Sequence, residues 1–331
     1  MPVAAHGSFD AARLVAAKAS ATITVCFPAR DEASTIGAIV EATRRDLVHR
    51  HPLVDEVLVL DDHSTDATAA VAAEAGARVV DARAVLPGQG RGAGKGEALW
   101  RSLRSARGDI VAWCDADIAP FDTHFLVGLL GPLVLDPEVQ FTKGFYERPD
   151  GDGSGSGGGR VTELVARPLI ATLFPHLSGV VQPLSGEYAG RRPLLERLAF
   201  APGYGVDLGL LIDVAASVGC AAITQVDLGV RRHRNRPLDE LGPQALDVLH
   251  AALVRAGVDP ADDVALARPG LPAVERRYED LPPLASFGAP SDPPLDPPLD
   301  PPLGAPLDAP LDARGRARPA PAGPGPGPAR P

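Results

Sequence analysis

Between about residues 22 and 275 the chain alternates short, unbroken apolar runs with stretches of helical character, and this alternation constrains the fold more than any other feature. Ile23-Thr24-Val25-Cys26-Phe27, closed by Pro28, reads as a buried strand. Residues 34–45 read as a helix with Ser34 as its N-cap. Val57-Leu58-Val59-Leu60 is a second strand that runs into Asp61-Asp62. A helix over 67–75 follows, capped by Ser64 or Asp66 and ended by Gly76. Arg78-Val79-Val80 is a third strand, 96–106 a helix, and 109–114 a fourth strand that ends at Asp115. Apolar strands separated by helices make an α/β fold, a Rossmann-like, mostly parallel sheet with helices on both faces. Such sheets bind ligands beyond the carboxyl ends of their strands. Three strand ends carry polar clusters: Pro28-Ala29-Arg30-Asp31-Glu32, Asp61-Asp62-His63-Ser64 and Asp115-Ala116-Asp117.

Composition narrows the class of ligand. The 331 residues are 45% hydrophobic, enough to fill a core, and carry a net charge of −10. That charge excludes a global positive field for nucleic acid or an anionic membrane, but not a local basic site for a small anion. No apolar run approaches the ~18 residues of a membrane span. Residues 1–20 show no secretory pattern, and three scattered cysteines make neither a disulfide framework nor a Cys-rich zinc site. The expected location is the cytoplasm. Residues 1–21 are expected to be a flexible N-terminal segment. Of 35 prolines, 17 follow residue 280, in repeats such as Pro294-Leu295-Asp296 and Pro298-Leu299-Asp300. A Pro-rich stretch lacks backbone donors and apolar surface, so a disordered tail is expected from about 276–281 onward.

The strand-end residues suggest phosphate chemistry. Asp115-x-Asp117 after a buried strand can aim two carboxylates at one hard divalent cation, which would offset the charge of a diphosphate. The competing reading is a solvated turn with capping aspartates. In Asp61-Asp62-His63-Ser64-Thr65-Asp66 the aspartates and Ser64 can bind a nucleobase or ribose, or cap a helix. The Gly-rich stretch 88–96 fails the P-loop pattern: no Gly stands five residues before Gly94, and Gly96 replaces the Ser/Thr after Lys95. A Gly-rich segment that brings Lys95 to a nucleotide fits better. Gly157-Gly158-Gly159 ahead of Arg160 exposes backbone N–H groups and a guanidinium fork suited to phosphate or carboxylate. Arg231, Arg232, Arg234 and Arg236 around His233 form a like-charge cluster that a bound diphosphate would neutralise.

PARDE at 28–32, DDHSTDAT at 61–68, GKGEAL at 94–99 and DADI at 115–118 together resemble nucleotide-sugar glycosyltransferases of the GT-A fold. GGRVTELVARPL at 158–169, QPLSGEYA at 182–189, APGYGVD at 201–207 and LGVRRHRNRPL at 228–238 are similar to the glucosyl-3-phosphoglycerate synthase family. The resemblance covers about 22–256 in order. It implies a retaining transfer of glucose from UDP-glucose to the 2-hydroxyl of 3-phosphoglycerate, with a divalent metal, magnesium or manganese, in a homodimer. It divides one GT-A domain into a nucleotide-sugar half, 22–150, and an acceptor-binding and metal-completing half, 151–275. By the same resemblance Pro28, Ala29, Arg30, Asp31, Glu32, Ser64, Lys95, Asp115 and Ala116 bind the donor. Asp117 and His233 hold the metal, while Gly159, Arg160, Val161, Thr162 and Asn235 cradle the acceptor. Tyr204, Gly205, Val206 and Asp207 touch the sugar, and Arg231, Arg232, His233, Arg234, Asn235 and Arg236 close over the donor.

The chain departs from the family at two positions. Asp207 stands where a Glu is expected, which retracts its carboxylate by one methylene, and Arg30 stands where a Leu is more usual beside the base. A mannose donor or a guanine base therefore stays open. So do a polyprenyl-phosphate acceptor at a membrane and a non-enzymatic nucleotide-sugar sensor or scaffold. Asp207, the catalytic candidate, can orient the sugar, cap the helix that follows it, or act as a nucleophile.

Overall fold

A computed structural model describes residues 1–90, 94–147, 159–231 and 237–288. In chain order the elements begin with β1 (Val3–Ala5), α1 (Ala11–Ala17), β2 (Ile23–Ala29), α2 (Ile36–Thr43), β3 (Glu56–Asp61) and α3 (Thr68–Glu74). Then come β4 (Arg78–Asp81), α4 (Lys95–Ser105), β5 (Ile110–Trp113), α5 (His124–Leu135), β6 (Phe141–Glu147) and α6 (Arg167–Leu173). The rest are β7 (Tyr188–Arg191), α7 (Arg192–Leu195), α8 (Val206–Val218), β8 (Ile223–Val230), α9 (Leu238–Arg255), β9 (Asp263–Arg268) and β10 (Leu271–Arg277). The first eight strands form one sheet in the order β1-β8-β6-β7-β5-β2-β3-β4. Only β7 runs antiparallel, against both β5 and β6.

Alternation along each strand splits the core in two. On β2, Val25 and Phe27 pack with α2 and α5, through Ile36, Ile39, Leu126 and Leu129, while Cys26 points the other way. On that second face Cys26, Leu58 and Trp113 meet Leu99, Trp100 and Leu103 of α4 and Leu208 and Leu211 of α8. Both faces are covered, so the central strands need no polar side, and β3 is buried at every position. The register Ala29↔Asp61 brings the ends of β2 and β3 level, and Cys26↔Trp113 sets the end of β5 beside them. All described residues fall in one compact unit. The nucleotide-sugar and acceptor halves share its sheet, because β5 pairs with β7.

Three expectations are corrected. The N-cap of α2 is Thr35 rather than Ser34, and its hydroxyl donates to the carbonyls of Glu32 (3.2 Å) and Ala116 (2.7 Å) instead of capping the helix. Residues 1–21 are not a loose leader. Val3 pairs with Gln225 at the sheet edge, Asp10 caps α1 by accepting from the Arg13 N–H at 3.0 Å, and Leu14 is fully buried. A three-residue strand carries too little periodicity to be read from sequence. The chain also stays packed past residue 276. Tyr278, Leu281 and Leu284 are buried, Phe200 and Leu281 exchange backbone hydrogen bonds at 3.0 and 2.8 Å, and the Trp100 indole donates to the Pro282 carbonyl at 2.8 Å. Pro282 and Pro283 lie between these anchors, so proline content there does not mark the end of the fold. The expected tail from 289 onward lies outside the described residues.

A chain ending at Asp280 should therefore melt well below one ending at Gly288. Loss of the Leu281 and Leu284 side chains alone removes about 3 kcal/mol or more of apolar burial. Equal melting curves for the two truncations would show that this strap is not needed.

Candidate active site

The site is built on the carboxyl edges of β2 and β5, the start of β7 and the first turns of α4 and α8. Asp115 and Asp117 follow β5, and both contact one guanidinium. Arg231 Nη2 lies 2.6 Å from Asp117 Oδ1, and Nη1 lies 3.2 Å from Asp115 Oδ2. Arg231 is almost wholly buried, and its Nη1 also contacts the Glu187 carboxylate and donates to the Tyr146 hydroxyl at 2.9 Å. Burial acts to lower its pKa, but Glu187, Tyr146, Asp115 and Asp117 raise it, so this guanidinium is permanently charged.

A second cation joins the D-x-D turn to α8. Lys95, at the start of α4, places Nζ 3.0 Å from Asp207 Oδ2 and 3.6 Å from Asp115 Oδ1. Burial works against its charge, yet Asp115 and Asp207 hold its pKa well above that of a free lysine. Asp207 sits in the first turn of α8, where the helix dipole favours a carboxylate. It makes no cap, since the residue before the helix is Gly205 and no side-chain cap bond forms there. Its second oxygen, Oδ1, accepts from the Tyr188 hydroxyl at 3.2 Å. Burial raises the Asp207 pKa, and Lys95 and Lys143 oppose that rise. Glu32, across the site, is raised by burial and by Asp117.

A cavity of about 470 Å³ opens over these groups. The structure brings to its wall Pro28, Ala29, Arg30, Glu32, Lys95, Asp115, Ala116, Asp117, Gly159, Arg160, Val161, Thr162, Tyr204, Asp207 and Arg231. Four expected residues do not line it. Asp31 and Ser64 bind each other's loops instead. The Ser64 hydroxyl accepts from the Asp31 N–H at 3.0 Å, and the Asp31 carboxylate accepts from the Thr65 N–H at 2.7 Å, which lowers the Asp31 pKa. Val206 packs in the core, and Gly205 lies so close to α9 that a Cβ would meet the Asp247 carbonyl at 2.7 Å. Arg232, His233, Arg234, Asn235 and Arg236 lie outside the described residues.

Asp62, one of the aspartates that can bind a base or ribose, also lines the cavity, while several other lining residues carried little or no signal. Leu241, Gln244 and Val248 come from α9, a helix that only tertiary packing brings over the site. Glu187 stood in plain view as an acid at the mouth of a buried strand, but what it faces depends on Arg231, 44 residues away. Gly186 also lines the cavity, and a Cβ there would run into the Asp115 carboxylate. Its lack of a side chain is what lets the first D-x-D carboxylate settle.

The donor set suits a hard divalent cation, since Asp115 and Asp117 offer oxygen and already share one positive group. Among the described residues no cluster of three His, Cys, Asp or Glu side chains completes a metal site. No described helix is long and apolar enough to cross a membrane.

A mostly parallel sheet with a D-x-D at a strand end and a basic, Gly-led helix start across the cavity defines a GT-A glycosyltransferase, and residues 24–174 match the family model of glycosyl transferase family 2. The chain is 50% identical over 254 residues to the glucosyl-3-phosphoglycerate synthase of Mycolicibacterium smegmatis, covering 76% of this chain and 83% of that one. It is 45% identical over 241 residues to the Petrotoga mobilis synthase, covering 72% and 74%. The crystal structure of the Mycobacterium tuberculosis synthase in complex with Mn2+, UDP-glucose and phosphoglyceric acid superposes with a TM-score of 0.78. That match has 45% identity and covers 86% of this chain and 98% of that one. The same enzyme is also known with Mn2+, UDP and glucosyl-3-phosphoglycerate, at a TM-score of 0.76 and 44% identity over 86% of this chain and 99% of that one. The chain belongs to the glucosyl-3-phosphoglycerate synthase family.

Gly186→Ala tests the cradle. The added methyl must push the Asp115 carboxylate away from Arg231 and Lys95, so turnover should fall by about 10-fold or more while melting changes little. Unchanged kcat would show that the position of Asp115 is not needed.

Proposed function

We propose that this protein transfers glucose from UDP-glucose to the 2-hydroxyl of 3-phosphoglycerate with retention, giving glucosyl-3-phosphoglycerate, in the presence of Mg2+ or Mn2+. The observation that carries this reading is the meeting, in one cavity, of the D-x-D turn and Lys95 with the Gly159–Thr162 start and its Arg160. The first group suits a nucleoside diphosphate sugar, and the second a small, strongly anionic acceptor. The 50% identity to curated synthases and the likeness to structures holding UDP-glucose, phosphoglyceric acid or the product support both substrates.

In this reading Asp117 with His233 holds the cation, whose charge stabilises the departing diphosphate. Pro28, Ala29, Arg30, Asp31, Glu32, Ser64, Lys95, Asp115 and Ala116 bind the donor, with Asp31 and Ser64 acting through their loops. Gly159, Arg160, Val161, Thr162 and Asn235 hold the acceptor. Arg231 through Arg236 cover the diphosphate, and Tyr204-Gly205-Val206-Asp207 supports the sugar. The bond from the anomeric carbon to the diphosphate oxygen breaks, the acceptor oxygen bonds to that carbon on the same face, and the diphosphate oxygen takes the hydroxyl proton. No enzyme nucleophile is required. Asp207 suits orientation better than attack, because one of its oxygens pairs with Lys95 and the other accepts from Tyr188.

The division into a donor half over 22–150 and an acceptor half over 151–275 belongs to the same proposal. So do a cytoplasmic location, which three free cysteines favour, and a homodimer. Exposed Leu164, Leu238 and Leu271 around one apolar groove are surface that a second copy would cover.

A panel of UDP- and GDP-sugars with 3-phosphoglycerate, run with and without divalent metal, tests the reaction. Product from UDP-glucose only with metal is expected, and no product from any donor overturns it. Asp117→Ala should cost about 10²-fold or more in rate. Arg160→Ala should raise the KM for 3-phosphoglycerate far more than that for UDP-glucose, and equal effects would remove Arg160 from the acceptor site.

A further inference from the structure

Beneath the cavity floor lies a fully buried lysine that the proposed reaction does not use. Lys143 is 2% exposed and sits in the middle of β6, opposite Tyr188 of β7. Its Nζ donates to the Ser185 carbonyl at 2.8 Å and lies 3.5 Å from the Asp207 carbonyl. It also stands 4.4 Å from the centre of the Tyr188 ring, a cation–π distance. A buried ammonium is costly unless charge or dipoles compensate it. Here it meets two carbonyls and an aromatic face, while the carboxylates of Asp207, Glu187 and Asp115 are its nearest formal countercharges. Tyr188 is fully buried, and its hydroxyl donates to Asp207 Oδ1.

We propose that Tyr188 and Lys143 are positioning residues for glucosyl transfer: Tyr188 fixes the Asp207 carboxylate against Lys95, and Lys143 ties the Ser185 turn to the start of α8 and supplies the positive charge beneath it. The inference rests on the reading of Asp207 as a sugar-orienting residue. An Asp reaches one methylene less far than the Glu expected here, so its direction depends more on what it is tied to. Two donors from different elements, Lys95 of α4 and Tyr188 of β7, take one oxygen each, which leaves the carboxylate one orientation. Lys143 holds both ends of the floor, because Ser185 lies between cavity residues Leu184 and Gly186, and Asp207 lies in the first turn of α8.

The charged and titratable groups around Lys143 and Tyr188 are Lys95 of α4, Asp115 after β5, Glu187 just before β7, and Asp207 in the first turn of α8. Arg231, after β8, contacts Glu187 and Asp115, two of these groups. Burial pushes the Tyr188 hydroxyl up, so it keeps its proton and stays a donor. Burial pushes Lys143 down to about 8, with Lys95 acting the same way and Asp207 opposing. As pH rises through that value Lys143 loses its charge, so kcat should fall on the alkaline side. Removing the charge by mutation lets the already raised Asp207 rise further, which moves the acid limb to higher pH.

The test uses the full-length protein with UDP-glucose, 3-phosphoglycerate and metal. Tyr188→Phe keeps the ring and deletes only the hydroxyl. It should lower kcat about 10-fold and leave the KM for 3-phosphoglycerate within about twofold. Lys143→Met should lower kcat, move its acid limb upward and abolish the alkaline limb near 8. A crystal structure of Tyr188→Phe should show the Asp207 carboxylate turned away from Lys95. Wild-type kcat and pH profile in Tyr188→Phe, or lost activity with Asp207 unmoved, overturns the proposal. If Lys143→Met does not fold, Tyr188→Phe decides alone. Should the wild-type protein make no glucosyl-3-phosphoglycerate, the proposed reaction fails, and the position of Asp207 in the variant still decides this inference.

Discussion

Four carboxylates, Asp115, Asp117, Glu187 and Asp207, crowd one end of the sheet, and the site exists because cations are interleaved with them. Glu187 and Asp207 are nearly inaccessible to water, so their mutual repulsion is weakly screened and must be met by partners at contact distance. Arg231 meets Glu187 and both D-x-D residues, and Lys95 meets Asp115 and Asp207. Lys143 stands below in reach of two backbone carbonyls. Removal of Arg231 would strip Glu187 of its guanidinium and removal of Lys95 would strip Asp207 of its ammonium, so these cations belong to the architecture and not only to ligand binding.

This interleaving explains how a chain with a net charge of −10 can suit anionic ligands. Average charge governs long-range encounter, but within a Debye length the local arrangement decides. The positive groups on the cavity wall come from β2, α4, the residues before α6, and the end of β8. Each lies on a different element, so the basic site is invisible in net charge and is made only by folding.

The alternation of strand and helix was legible because the central strands are buried on both faces and read as continuous apolar runs. The ends of β2, β3 and β5 fell within a residue or two of where Pro28, Asp61 and Asp115 put them. Less legible were the edges. β1 is too short for periodicity, and β7, which carries Tyr188, opens in a Gly-Glu-Tyr-Ala-Gly stretch that lacks a strand's apolar run. The 281–288 strap hid among prolines because what holds it is Phe200 and Trp100, far away in sequence. In the site, residues whose chemistry is local, such as Asp115 and Lys95, could be named from their motifs. Those defined by a distant partner, such as Glu187 and Lys143, could not. Asp31 and Ser64 show the converse, since their polarity suggested a ligand and the structure spends it on joining two loops.

Lys95 gives this arrangement a direction. It stands 3.0 Å from the Asp207 carboxylate and 3.6 Å from the first D-x-D carboxylate, that of Asp115. One ammonium shared between two carboxylates strengthens its hold on either when the other is neutralised. Any cation or hydrogen-bond donor that satisfies Asp115 therefore frees more of Lys95 for Asp207 or for an incoming phosphate oxygen. The Tyr188 hydroxyl keeps Asp207 in place through that exchange, because it comes from β7 and does not depend on Asp115. The strand below thus ties Asp207 by a contact that is separate from the charges around Asp115.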